Sequence, residues 1–102
     1  AIEVMHARLG EPLTVDDLAE AAFMSCYHFS RVFTKVTGVS PGRFLAALRM
    51  QEAKRLLLKT DRSVTDICFD VGYNSLGTFT RIFADFVGLL DKFPFWFNIV
   101  TP

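Results

Sequence analysis

A chain of 102 residues has room for one ordinary domain or two very small subdomains on a shared connector, which excludes a large enzyme. An apolar share of 51% and a charged share of 22% exclude disorder as the default, while zero net charge argues at first against a polyanionic partner. No apolar run nears the ~18 residues of a membrane span, and the first residues, AIEVMHARLG, lack the layout of a secretion signal, so a cytoplasmic location is expected.

The chain opens on Ala1 in what reads as mid-helix sequence, as expected of a piece of a longer protein. Residues 2–9, with Ile2, Met5 and Leu9, read as an amphipathic helix packing on the first helical unit. Thr14 and Asp17 form a capping box in its acidic version, and Val15, Leu18, Ala19 and Ala22 trace the i, i+3, i+4, i+7 stripe of a buried face. Phe23-Met24 interrupts that helix and Ser25 offers a new cap. Phe29, Val32, Phe33 and Val36 then carry a second stripe until Gly38 ends it. The spacing predicts helix, tight turn, helix.

Ser40-Pro41, a cap followed by proline at the first helical position, opens a longer helix to about Lys59. At 1.5 Å per residue it is ~28 Å long. Its Phe44, Leu45, Leu48, Leu56, Leu57 and Leu58 do not share one stripe, the pattern of a helix gripped by different partners at its two ends. Beyond it the first pattern returns. Ser63 and Asp66 repeat the capping box, and Val64, Ile67, Cys68 and Val71 repeat the first stripe. Ser75 repeats Ser25; Phe79, Ile82, Phe83 and Phe86 repeat the second stripe; Gly88 repeats Gly38. The echo of FSRVF (29–33) in FTRIF (79–83) is therefore one corner of a duplicated helix-turn-helix. The offset grows by one across the second turn, GYN, where Gly72 supplies backbone freedom.

The fold expected is all-α: two helix-turn-helix subdomains, 1–39 and 61–89, joined by a connecting helix over 40–60, with an apolar tail over 90–102. The neutral net charge hides a segregation. Residues 1–25 carry five acids against Arg8 alone, whereas residues 26–62 carry eight bases against Glu52 and Asp61, and a locally basic segment is what a polyanion meets. Cys26 and Cys68 are too few for a disulfide framework. Together with His6 and His28 they do not form a metal site either, since positions 26 and 28 of one helix point apart. Neither His nor Cys falls in a catalytic spacing, so no enzyme, metal or cofactor is expected.

The stretch from LTVDDLAEAAFMSCYHFSRVF through TGVSPGRF to DVGYNSLGTFTRIFADFVG resembles the DNA-binding domain of the AraC/XylS family of bacterial transcription regulators, over about residues 1–89. Two helix-turn-helix units on a central helix are far more specific than one. The resemblance implies sequence-specific binding of double-stranded DNA, the second helix of each unit in one of two adjacent major grooves. It also implies RNA polymerase as a partner at a promoter, and an effector or dimerisation domain elsewhere in the protein. The chain departs from the family after the second unit, where a second Gly-x-Ser-Pro ending is usual. It reads GLLDKFPFWFNIVTP, with Asp91 where Pro41 projects. Packing on the second unit, a partner surface and a foreign terminus from an altered reading frame are its three readings, and packing is the plainest. A protein-interaction module using the Phe-rich surface and tail is the competing function.

With the first recognition helix oriented by its apolar stripe, 100° per residue places Tyr27, Arg31 and Thr34 opposite, flanked by His28, Ser30 and Lys35. Arg31 can bond guanine O6 and N7 together, Tyr27 can touch a thymine methyl or a sugar, and Ser30 can reach a base or phosphate. Base contact is thus expected of Tyr27, Ser30, Arg31 and Thr34. In the second unit the corresponding places hold Leu76, Gly77, Thr80 and Arg81, of which only the last two hydrogen-bond from their side chains. Phosphate contact is expected of Lys35, Arg49 and the helix starts at Ser63 and Ser75.

Overall fold

In the computed structural model, residues 2–89 are described, and the expectations for the tail, 90–102, lie outside them. Six helices and no strand occur among the described residues: α1 (Ile2–Ala7), α2 (Val15–Ala21), α3 (Cys26–Thr37), α4 (Pro41–Lys59), α5 (Val64–Asp70) and α6 (Leu76–Leu89). Local chemistry sets most boundaries. Asp17 N–H donates to Thr14 Oγ1 (3.1 Å) while Thr14 N–H donates back to the Asp17 carboxylate (3.0 Å), the full capping box at the start of α2. Ser25, Ser40, Ser63 and Ser75 each accept one first-turn N–H, from His28, Arg43, Asp66 and Thr78. Gly38 ends α3 in the left-handed conformation, its N–H donating to Thr34 O.

α2 with α3, and α5 with α6, form the two helix-turn-helix units. The turns share their main bonds. Met24 N–H donates to Ala19 O (2.9 Å), as Tyr73 N–H does to Cys68 O (3.0 Å). Asn74 is the extra residue that moves the second cap on by one.

Helices α1, α3, α5 and α6 all pack on α4. Phe44, Leu45, Ala47, Leu48, Met50 and Ala53 are buried and point in every direction around its axis, which is why its apolar residues trace no single stripe. The Phe33 ring meets Phe44 edge-on, centroids 5.4 Å apart, and tilts with Phe29 at 5.6 Å. Phe79 stacks on Phe83 at 5.8 Å beside Tyr73 at 5.7 Å. One continuous core results, with Met5, Leu18, Phe29 and Ile67 among its members.

Four expectations are corrected. Val36 is 77% exposed and Val32 also faces solvent. The inner line of α3 is Phe29, Phe33 and Thr37, the Thr37 hydroxyl donating to Phe33 O at 2.8 Å. Two large rings at i and i+4 turn the helix toward α4 and swing the valines outward. Val64 is exposed for a similar reason, Ile67 and Cys68 being the residues that reach the core. Leu58 is exposed near the end of α4, while its neighbours Leu56 and Leu57 pack against the core. Gly88 does not end its helix, since α6 runs on to Leu89; among the described glycines only Gly38 and Gly72 have positive φ.

Candidate nucleic-acid interface

The outer side of α3 is built by default: once Phe29 and Phe33 are fixed inward, Tyr27, Arg31 and Thr34 are fixed outward. All three are exposed, as are His28 and Lys35, and Ser30 is half-buried at their edge. The side chains of Tyr27, His28, Ser30, Arg31, Thr34 and Lys35 border one open depression. Within it Arg31 Nη1 donates to the Tyr27 hydroxyl (3.3 Å), and the guanidinium carbon lies 5.6 Å from the Tyr27 ring centroid. This i, i+4 pairing limits the rotamers that Arg31 samples. Sequence reasoning picks both residues but does not see that they act on each other.

Cys26, beside this cluster, is an exposed free thiol. Its pKa is raised, first because the Asp16 carboxylate accepts the thiol's hydrogen, with some desolvation and the charge of Asp16 adding to this and the Ser30 hydroxyl opposing it. The thiolate is therefore disfavoured at the one exposed cysteine among the described residues. Those residues hold no cluster of three or more His, Cys, Asp or Glu side chains able to bind a metal.

On α6 the corresponding residues Leu76, Gly77, Thr80 and Arg81 are also exposed. They are chemically poorer than the set on α3. Thr80 Oγ1 donates to Leu76 O (2.7 Å), so its hydrogen is spent within the helix and the hydroxyl is left as an acceptor. Arg81 is then the only side-chain donor among these four residues.

The helix starts differ in a way that bears on phosphate. α2 has Asp16 and Asp17 in its first turn and α5 has Asp66, whereas α3, α4 and α6 have no acid there. A carboxylate already occupies the positive end of the helices that support each unit; Asp16 of α2 also reaches the first residue of α3, Cys26, so of the two outward helices α6 leaves its start the more open to an external anion. Ser63, at the start of α5, thus shares its turn with Asp66, and Ser75 is the better placed of the two serines.

Arg49 departs from expectation. It is half-buried, Nε donating to Leu9 O (3.1 Å) and Nη2 to Glu11 O (2.8 Å), so two of its three nitrogens are taken up by main-chain carbonyls and not turned outward to a phosphate. Arg55 is likewise engaged, Nε donating to both Glu52 oxygens at 3.0 and 3.1 Å, and Arg62 pairs with Asp70.

A family model described as a helix-turn-helix domain matches residues 18–90. The uncharacterised HTH-type transcriptional regulator YobQ of Bacillus subtilis is 36% identical over 89 residues, 87% of this chain and 37% of that protein. An uncharacterised HTH-type transcriptional regulator of Haemophilus influenzae is 41% identical over 75 residues, 74% of this chain and 25% of that protein. The chain thus spans well under half the length of these relatives. The crystal structure of a transcriptional regulator with an AraC-type DNA-binding domain from Chromobacterium violaceum superposes with a TM-score of 0.80 at 28% identity, over 85% of this chain and 78% of that one. Two capped helix-turn-helix units around one central helix, matched in sequence and in fold, make this chain a member of the AraC-type helix-turn-helix family of DNA-binding domains.

Proposed function

We propose that α3 and α6 enter adjacent major grooves on one face of duplex DNA, so that a single copy of the chain reads both as the DNA-binding part of a bacterial transcription regulator. The observation that carries this is the duplication itself: two outward helices, each with an acid-free first turn, on one enclosed central helix. Adjacent grooves on one face recur every ~34 Å. The long dimension of the molecule, 40 Å, is enough to span them.

In this reading Tyr27, Ser30, Arg31 and Thr34 face the bases of one half-site, and Leu76, Gly77, Thr80 and Arg81 those of the other. Lys35 and the α6 start at Ser75 hold phosphates, with Ser63 weaker because of Asp66. The chain works by binding, in the cytoplasm; among its described residues no helix is long and apolar enough to cross a membrane. RNA polymerase at a promoter, and an effector or dimerisation domain in the longer protein, complete the proposed setting.

Selection from a random-sequence duplex library, followed by titration against salt, tests the reading. Binding without effector is expected, with a log–log slope of roughly −4 to −8 for about five to nine phosphates neutralised. A slope near zero, the mark of apolar docking, would favour the competing protein-interaction module.

A further inference from the structure

The two helix-turn-helix units touch each other directly as well as through α4. Gly10, in the loop between α1 and α2, lies so close to the end of α5 that a Cβ there would stand 2.6 Å from Asp70 O. Gly72, in the turn of the second unit, faces back, and its Cβ would meet Leu9 O at 3.3 Å and Arg49 Nε at 3.4 Å. The two units therefore approach so closely that a side chain at Gly10 would force them apart and one at Gly72 would push its neighbours aside by a few tenths of an ångström.

Arg49 enters this seam from α4. Its bonds to Leu9 O and Glu11 O hold the first unit's loop, and its guanidinium carbon lies 6.0 Å from the centroid of the Tyr73 ring in the second unit's turn. A planar guanidinium suits this position, since it presents donors to two carbonyls at once while its face lies near an aromatic ring. One side chain therefore engages three segments: the central helix that carries it, the first unit and the second.

We propose that Arg49 is a positioning residue that locks the two units at one relative setting and thereby fixes the half-site spacing the chain accepts. The inference rests on the reading of α3 and α6 as the DNA-reading helices. One inserted base pair moves a half-site by about 3.4 Å and turns it by about 34°. A seam held at a Cβ's width does not absorb that displacement.

The test is a set of duplex libraries with the two half-sites at the selected spacing and at one base pair more or fewer. Wild-type chain should favour one spacing. Arg49→Met should reduce the penalty for an inserted base pair by about tenfold, as the charge-assisted bonds to the first unit's loop and the guanidinium's approach to the Tyr73 ring are lost together, with the preferred bases in each half-site unchanged. Arg49→Lys, which keeps the charge but not the planar fork, should recover only part of the penalty. A wild-type spacing penalty in Arg49→Met would overturn the proposal, as would a salt slope about one unit shallower with spacing intact, the mark of a lost phosphate contact. If Arg49→Met does not fold, Gly10→Ala decides by the same spacing readout, because it wedges the seam at an exposed loop and leaves Arg49 in place. If the wild type binds no duplex, the DNA reading fails separately. The seam is then judged by residual dipolar couplings on the free chain. One alignment tensor for both units in the wild type and two in Arg49→Met support the lock; one tensor in both chains overturns it.

Discussion

Phe23 and Gly72 hold equivalent places in the two turns, and both have positive φ, 58° and 97°. Glycine takes that conformation freely, whereas a phenylalanine there crowds its own Cβ. Phe23 is also 96% exposed, so burial does not repay the strain. Phe23→Gly should therefore stabilise the chain by ~0.5–1 kcal/mol, the relief of strain exceeding the entropy glycine adds to the unfolded state. Gly72→Ala should destabilise it by ~1–2 kcal/mol, because the αL cost is added to the contact with Leu9 O. Thermal melts of the two variants should move in opposite directions.

Arg31→Ala should cost ~1–3 kcal/mol in DNA affinity and flatten selectivity at about one base pair, as loss of a two-bond guanine contact would. Tyr27→Phe keeps a ring beside the guanidinium but removes the hydroxyl that accepts from Nη1, and should cost less than ~1 kcal/mol. If Tyr27 acts partly through Arg31, its effect should shrink when Arg31 is already alanine. A double-mutant cycle in a fluorescence-anisotropy assay measures this.

The half-sites should be unequal in information. α3 offers Tyr27, Ser30 and Arg31, whereas α6 offers Arg81, an acceptor-only Thr80 and two residues without side-chain hydrogen bonds. Arg81→Ala should weaken binding with a smaller loss of selectivity than Arg31→Ala. Randomised-site selection on the wild type and both variants should return the sharper sequence logo under α3, and equal half-sites would refute the assignment.

Legibility in the sequence depends on the range of each signal. The caps at Thr14, Ser25, Ser40, Ser63 and Ser75 act over three residues, so the elements and their duplication are written locally. The outward set of α3 is also legible, because Phe29 and Phe33 suffice to orient it. Whether Val32 and Val36 or Thr37 lies innermost depends instead on where α4 sits against the helix, and periodicity cannot choose between neighbouring i+3 and i+4 positions. Arg49 is the least legible residue, since its carbonyl partners are 38 and 40 positions away and a base on a helix looks the same in sequence whatever it faces. Gly88 fits a helix end in pattern, yet no left-handed turn forms there.

Acid should loosen the first unit through its cap. The Asp17 pKa lies below the ordinary aspartate value, chiefly because the main-chain N–H of Thr14 donates to its carboxylate, helped by the Thr14 side chain. A lowered folded-state pKa means that the contribution is complete above the unfolded value and disappears as pH falls through the lower one. Asp17→Asn should therefore be less stable at neutral pH and show a flatter decline between neutrality and strong acid. Thr14→Ala, which removes the other half of the box, should cost ~0.5–2 kcal/mol at neutral pH. Urea titrations across pH on the three chains check both outcomes.

The unequal helix starts separate two properties that usually accompany each other in proteins that handle nucleic acids: general stickiness toward polyanions and the capacity to recognise a sequence. With 11 basic and 11 acidic residues the chain has no bulk attraction for a polymer of phosphates. The first turns of α3 and α6 nonetheless hold no acid of their own, and with Asp16 reaching only the start of α3, the field is most favourable where α6 would meet the duplex in the proposed reading. Such a molecule should leave a cation-exchange column early, spend little time on random sequence, and release competitor DNA quickly. In the proposed reading, its occupancy of a DNA site would then depend on the quality of the site more than on the amount of surrounding DNA.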